Sequence, residues 1–163
     1  MQKLVVGIAA GLALCAAAVE SADEKPSATV QKFIDSFNKG DAAAAAATHA
    51  ASADLSIVDE VPPYQWNGPQ AFQTWAAALE AESTKSSISD EKVTLGPVTR
   101  ELVSGDKAYV VVPAVYSFKQ GGKPMAEKAQ MAVVLKKEAG GWLIHAWTWT
   151  GPNPRPVAVT NAK

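Results

Sequence analysis

The hydrophobic pattern of the chain changes character about halfway along its length. Up to about Ser83 the apolar residues recur at helical spacing, whereas residues 91–150 read as consecutive strands joined by short turns that contain glycine. Helical segments followed by a run of strands are typical of an α+β domain, in which helices pack on one face of an antiparallel sheet. The pattern predicts this fold class more sharply than any function, because no catalytic motif of high specificity accompanies it.

The first 21 residues have the features of a secretory signal peptide. A short, positively charged start ends at Lys3, residues 4–19 are almost wholly apolar, and the chain turns polar at Glu20. The apolar run is shorter than the roughly 20 residues that a membrane-spanning helix needs. We therefore expect residues 1–21 to be a signal peptide, with cleavage near Ser21, and the mature protein to be periplasmic or secreted.

The single cysteine, Cys15, falls inside this segment. The mature protein is then expected to contain no thiol, which excludes disulfides, thiolate metal ligands and a cysteine nucleophile. A lipid anchor on Cys15 is not favoured, because Leu14 stands where such a site needs a small residue.

The rest of the chain is predicted to form one domain over residues 22–151 and an extended, poorly ordered tail over residues 152–163. Its 15 Lys and Arg and 16 Asp and Glu are scattered, so no basic stripe predicts nucleic-acid binding, and no second apolar run predicts a membrane span. Two distant histidines and carboxylates without ligand spacing predict no metal site. Without a phosphate-binding glycine loop or a nucleophile elbow, no cofactor is expected.

Two helices are predicted to meet at a sharp corner near the start of the domain. The first, over residues 26–39, carries one apolar stripe, formed by Val30, Phe33, Ile34 and Phe37. Gly40 ends it, and Asp41 caps an alanine-rich second helix over residues 42–50. His49 is expected to interact with the C-terminal carbonyls of that second helix.

A third helix follows after an irregular stretch. A short strand over residues 55–58 leads into residues 61–69, whose three prolines predict irregular structure. Pro69 is well placed at the first turn of the third helix. The buried stripe of this helix is predicted to be Phe72, Trp75, Ala76 and Leu79.

Four hairpin-linked strands are predicted over residues 93–103, 108–118, 126–137 and 142–150. In the third of them, the residues expected to face the core are Ala129, Met131, Val133 and Leu135. Both faces of the second strand are apolar, so it should be central and covered on both sides, or covered by a partner subunit.

Two segments resemble the NTF2-like superfamily, which includes SnoaL-like and ketosteroid-isomerase-like proteins. Residues 30–41, VQKFIDSFNKGD, look like its opening helix and corner, and residues 141–149, GWLIHAWTW, are similar to its last strand. The resemblance covers residues 26–150 and implies a cone, in which three helices pack on a curved, mixed but mainly antiparallel sheet around a pocket. It also implies a homodimer through the sheet, but no particular chemistry, because the superfamily hosts both enzymes and binding domains.

The same resemblance argues against steroid-isomerase chemistry. Those isomerases use an aspartate base and an oxyanion hole made of a tyrosine and a protonated aspartate. The tyrosine position corresponds to Phe33, which has no hydroxyl, and residues 108–118 hold no carboxylate for the second acid. An ungapped match places Ile57 at the base position, and only a two-residue insertion would bring in Asp59.

Asp59 and Glu60 remain the best-placed carboxylates, at the end of the short strand where the proline-rich loop should rim the pocket. A carboxyl group in an apolar cavity has a raised pKa and can act as a general base near neutral pH. The alternative is that both cap the loop or stay solvated. Tyr64 and Trp66, in the same loop, either bind a flat or apolar ligand or hold the loop in place.

His145 is the second candidate for chemistry. His145 alternates with Leu143, Trp147 and Trp149, so all four are expected to project from one face of the last strand. On a concave face its imidazole can form an acid–base couple with Asp59 or Tyr116. On a convex face the two tryptophans form an aromatic patch that suits a dimer interface.

Two functions remain open. The preferred one is a dimeric, secreted module that either holds a small apolar or aromatic molecule, with the contact residues Tyr64, Trp66, Trp75, Tyr116 and Met131, or contributes to a larger assembly. The alternative is a cofactor-free enzyme that transfers protons through Asp59 or His145, with Tyr64 or Tyr116 orienting the substrate.

Overall fold

Three helices pack against one face of an eight-stranded mixed sheet in the structure, a computed structural model that describes residues 24–157. The helices are α1 (Pro26–Asn38), α2 (Ala42–Ala46) and α3 (Ala71–Lys85). The strands are β1 (Ser56–Val58), β2 (Gln65–Asn67), β3 (Ile88–Leu95), β4 (Arg100–Ser104), β5 (Lys107–Gln120), β6 (Lys123–Glu138), β7 (Gly141–Thr150) and β8 (Arg155–Pro156). The predicted α+β class is confirmed. The expected signal peptide lies outside the described residues.

The sheet has the order β2-β1-β7-β6-β5-β3, with β4 also paired to β5 and β8 to β6. All pairs are antiparallel except β1 and β7. The mixed, mainly antiparallel sheet is therefore confirmed. Among residues 24–157, no helix is long and apolar enough to cross a membrane.

The strand predicted over residues 93–103 is in fact two strands, β3 and β4. Both pair with β5, so that β5 lies between β6 on one side and β3 and β4 on the other. The break falls around Pro97, which has no backbone N–H to donate to a ladder. The predicted central position of β5 is confirmed, although its outer face leaves Tyr109 39% exposed.

Helix α2 is shorter than predicted because its last residues turn to the sheet. Asp41 caps it as expected, accepting a hydrogen bond from the Ala44 N–H at 2.9 Å. The helix ends at Ala46 rather than at residue 50, since the Ala50 N–H donates to the Ile144 carbonyl at 2.9 Å. The main chain of this segment thus joins β7.

Two segments predicted to be irregular contain strands. β2 lies within the proline-rich stretch, and this is possible because the prolines at positions 62, 63 and 69 all fall outside its three residues. The predicted poorly ordered tail contains β8, which pairs with β6, and the Val157 N–H donates to the Pro124 carbonyl at 3.0 Å. Residues 158–163 lie outside the described part of the chain.

The core forms where the apolar stripes of α1 and α3 meet the inner face of the sheet. From the helices come Val30, Phe33, Ile34, Phe72 and Trp75, and from the sheet come Ile57, Val110, Val112, Met131, Val133, Leu135 and Ile144, all 5% exposed or less. Burying each such side chain contributes roughly 1.5–3 kcal/mol. The predicted stripe of α1 and the inward set of β6 are therefore correct.

Candidate functional site

A cavity of about 110 Å³ lies between α1, α3 and the inner face of the sheet. Its wall consists of Phe33, Ile34, Phe37, Asp59, Glu60, Val61, Trp75, Leu79, Val93, Tyr116, Glu127, Met131, Trp147 and Trp149. Six of these fourteen residues are aromatic, three are carboxylic acids and the others are aliphatic or methionine. An apolar cavity with a few polar groups is typical of a small-molecule site.

Three of the five predicted ligand contacts lie in this wall: Trp75 on α3, Tyr116 on β5 and Met131 on β6. Tyr64 does not line the cavity. It lies at a turn position with a φ of 74°, and its side chain is 59% exposed to solvent. Trp66 does not line it either, since its pairing with Ile57 at the edge of the sheet places it in the core. The geometry thus supports only the first three as ligand contacts.

The carboxylate of Asp59 is fixed in the wall directly after β1. The indole N–H of Trp75 donates to Asp59 Oδ2 at 2.7 Å, and the backbone N–H of Glu60 donates to Oδ1 at 2.8 Å. Burial raises the pKa of the Asp59 carboxyl, while these two hydrogen bonds oppose the rise. An oriented, desolvated carboxylate of this kind can accept a proton from a bound molecule.

The carboxyl groups of Glu60 and Glu127 interact with each other in the cavity wall. Glu60 is an exposed residue whose carboxyl turns towards Glu127, which is only 3% exposed. Burial, and after it the charges of Glu127 and Asp59, raises the pKa of Glu60 to about 7. Burial also raises the pKa of Glu127. Burial and the proximity of the two carboxyl groups thus both favour the protonated form of one member of the pair.

Glu127 is held by the end of β7 and the residues after it. The indole N–H of Trp149 donates to Glu127 Oε1 at 2.8 Å. A Cβ on Gly151 would lie 2.0 Å from Glu127 Oε1, so a side chain at this position would displace the glutamate. Glu127 is not among the residues predicted for the site, although it belongs to the same alternating set as Ala129 and Met131.

Tyr116 is the third aromatic residue of the wall, after Trp75 and Trp149, whose polar group donates to a carboxylate. Its hydroxyl donates a hydrogen bond to Glu91 on β3. Burial, followed by this hydrogen bond, raises the pKa of the Tyr116 hydroxyl, so that it stays protonated at every physiological pH. The hydroxyl therefore serves as a donor that is already engaged by Glu91.

The predicted alternation of β7 is wrong, and the reason is a β-bulge. Val134 pairs with Ala146 and Leu135 with Ile144, which leaves His145 as the extra residue. The bulge brings Trp147 to the inner face that Ile144 already occupies, instead of placing the two on opposite faces.

His145 does not reach the cavity as a result of this bulge. Its ring nitrogens contact Asp54 Oδ2 at 3.2 Å and Glu138 Oε1 at 2.9 Å, and neither of these residues lines the cavity. The couple of His145 with Asp59 or Tyr116 is therefore not formed, and the geometry gives no support to a role for His145 in the cavity.

His49, the other histidine, does not line the cavity but contacts one of the residues that do, Trp147. Its Nδ1 lies 3.0 Å from the Ala45 carbonyl of α2, as predicted, and its Nε2 accepts a hydrogen bond from the Trp147 indole at 3.0 Å. Burial lowers the pKa of His49 to about 4, so the ring is neutral and Nδ1 carries the proton. This neutral imidazole fixes the indole of Trp147, a role that the sequence analysis did not identify.

Solved structures with this fold differ widely from the chain in sequence. An NTF2-like superfamily protein from Salmonella enterica serovar Typhimurium is 16% identical, with a TM-score of 0.63 over 83% of this chain and 93% of that chain. The hexachlorocyclohexane dehydrochlorinase LinA-type3 from Novosphingobium barchaimii is 14% identical, with a TM-score of 0.65 over 82% and 90%. A ketosteroid isomerase-like protein from Erwinia carotovora atroseptica is 19% identical, with a TM-score of 0.59 over 78% and 94%.

The likeness to these structures establishes the NTF2-like fold that the sequence resemblance implied. A search of curated proteins gave no match to the sequence. The sequence profile of the SnoaL-like domain, in contrast, matches residues 27–148, which is most of the chain. The chain therefore belongs to the SnoaL-like domain family.

Proposed function

We propose that this protein binds a small apolar or aromatic molecule in the cavity between α1, α3 and the sheet. The observation that supports this best is the composition of the wall, in which six aromatic side chains surround a volume of about 110 Å³. Apolar walls favour a ligand that loses little hydration on entry, and carboxyl groups fixed among them can orient it.

The test compares two tryptophan substitutions on α3. Leu79→Trp adds a large side chain at the cavity wall, whereas Ala77→Trp adds the same side chain at an exposed position of the same helix. In isothermal titration calorimetry with p-cresol as a neutral aromatic probe, we expect the first variant to bind at least about tenfold more weakly than the wild type. The second should bind like the wild type.

Equal affinities of the two variants would contradict the proposed site, provided that circular dichroism shows both to be folded. Native mass spectrometry of protein purified from its own host supplies an independent readout. A co-purified small molecule that is retained by Ala77→Trp and lost by Leu79→Trp is the expected result.

A second candidate function is cofactor-free proton transfer in the same cavity. It is favoured by one observation: two hydrogen bonds orient the Asp59 carboxylate in the wall, next to the carboxyl groups of Glu60 and Glu127. Asp59 would accept a proton from the substrate, and the pair of Glu60 and Glu127 would return one. The hexachlorocyclohexane dehydrochlorinase named above has the same fold, and we extend no more than the fold from it.

We further propose that the protein is secreted or periplasmic and forms a homodimer through the outer face of the sheet. The composition of residues 1–21 supports the first proposal. The second is supported by a row of exposed apolar side chains across three paired strands, namely Leu102, Tyr109 and Val134. Light scattering of the purified protein at several concentrations distinguishes a dimer from a monomer.

A further inference from the structure

The cavity wall has an unbalanced charge. Asp59, Glu60 and Glu127 line it, and among the residues that the structure describes, no Lys, Arg or His does. The hydrogen bonds that these carboxyl groups accept come from neutral donors, namely the indoles of Trp75 and Trp149 and the backbone N–H of Glu60. Neutral donors compensate a buried carboxylate only in part, whereas a nearby positive charge stabilises its ionised form. The cavity therefore favours a ligand that supplies positive charge.

The aromatic residues of the wall are polarised in the same sense. The indole of Trp75 donates to Asp59, the indole of Trp149 donates to Glu127, and the hydroxyl of Tyr116 donates to Glu91. The face of an aromatic ring attracts a cation within about 6 Å of its centre. A hydrogen bond from the ring to a carboxylate pushes further electron density into the ring, because hydrogen-bonded groups polarise one another. Three of the six aromatic wall residues are thus better cation binders than isolated rings.

The aromatic rings of the wall also pack against one another, which fixes their positions. Trp75 and Trp147 meet edge to face with their ring centres 5.0 Å apart, and Tyr116 and Trp149 do so at 6.4 Å. The hydrogen bond from Trp147 to the neutral His49 fixes one more ring of the group. Side chains held in this way lose little freedom when a ligand binds, which favours affinity.

We propose that the preferred ligand of this cavity is a small organic ammonium ion with apolar substituents, such as a tertiary or quaternary amine. This proposal rests on the proposed binding function and specifies its ligand class. A methylated ammonium group combines positive charge with an apolar surface, as the wall requires. A bare metal ion fits less well, since within residues 24–157 no group of His, Cys, Asp and Glu is arranged to hold one. Anionic ligands are disfavoured by the three carboxyl groups.

The experiment compares choline with its neutral isostere 3,3-dimethylbutan-1-ol, which has the same shape but no charge. Both are titrated by calorimetry, at low salt and pH 7.5, into the mature protein that is expected after removal of residues 1–21. We expect choline to bind at least about tenfold more tightly than the isostere. In Glu127→Gln and Asp59→Asn this ratio should fall to about threefold or less, because each variant removes one carboxylate from the wall.

One control variant and one substitute variant complete the experiment. Asp106→Asn removes an exposed carboxylate from the turn between β4 and β5, so it should keep the wild-type ratio. If Glu127→Gln fails to fold, Glu60→Gln replaces the exposed member of the same pair and should lower the ratio likewise.

The possible outcomes separate this inference from the function on which it rests. If the neutral isostere binds as tightly as choline, or if the ratio is unchanged in the carboxylate variants, the inference is wrong. Binding of p-cresol with no binding of choline also overturns it, while leaving the proposed binding function intact. If none of the three probes binds, both proposals fail.

Discussion

Replacing Phe33 with alanine is expected to lower the free energy of unfolding by about 3–5 kcal/mol. The side chain is 2% exposed, and its ring contacts the rings of His49, Phe72, Trp75 and Trp147 at centre distances of 4.8, 6.2, 6.1 and 5.8 Å. These four large neighbours, two of them on α3, one on β7 and one in the segment after α2, cannot all collapse into the space that the ring leaves. Urea denaturation followed by circular dichroism measures the change.

Phe37→Ala is the matched control for this substitution. Phe37 lies one helical turn further along α1, is only half-buried, and contacts Trp75 alone among the rings, at 6.4 Å. Its loss should cost about half as much as the loss of Phe33 or less. Similar costs for the two variants would show that the aromatic cluster around Phe33 does not determine stability in the way its contacts suggest.

Acidification is expected to destabilise the protein through His49 by about 3 kcal/mol. The pKa of this histidine is about 4 in the folded protein and 6.5 in the unfolded chain. Between these values the unfolded chain binds more protons, so stability is lost progressively as the pH falls from about 6.5 to about 4. The difference between these two pKa values sets this magnitude, since each pH unit between them is equivalent to 1.36 kcal/mol.

The carboxyl groups of the cavity act in the opposite direction over an overlapping range. The pKa of Glu60 rises from 4.5 to about 7 on folding, so this group adds stability as the pH falls from 7 to 4.5. Its contribution is on the order of 1 kcal/mol, because the residue is exposed and solvent screens the interaction. The two effects partly cancel in the wild-type protein, and variants are needed to separate them.

The comparison that isolates His49 is between Glu60→Gln and the double variant Glu60→Gln, His49→Gln. Glutamine at position 49 keeps an acceptor for the Trp147 indole but does not titrate. Urea midpoints between pH 4 and 7 should fall with acid more steeply in the single variant than in the double variant. Parallel pH profiles would mean that His49 is not buried in its neutral form.

The sequence predicts the elements of this fold better than their ends. The stripe of α1 is correct because Val30, Phe33 and Ile34 follow the helical period, which local geometry imposes. The end of α2 was missed, since it depends on the hydrogen bond from Ala50 to Ile144, a residue far away in the chain. The division into β3 and β4 had a local signal, the proline at position 97, and could have been predicted from it.

The site is predictable only in part. Asp59 was singled out from its place after the first strand, and Trp75, Tyr116 and Met131 lie in the wall as expected. The pairing of Glu60 with Glu127 joins a loop to a distant strand, and no sequence pattern specifies such a contact. The hydrogen bond between His49 and Trp147 joins residues that are 98 positions apart, and no sequence pattern predicts it either.

The bulge at His145 has a consequence for comparing relatives of this chain. Because one extra residue in β7 decides which tryptophans face inward, a single gap in an alignment exchanges wall positions for outer-face positions along the rest of the strand. Two relatives with the same aromatic residues in this strand can then present them to a ligand or to solvent. Transfer of binding residues between such proteins therefore requires the strand pairing to be matched first, and residue identity second.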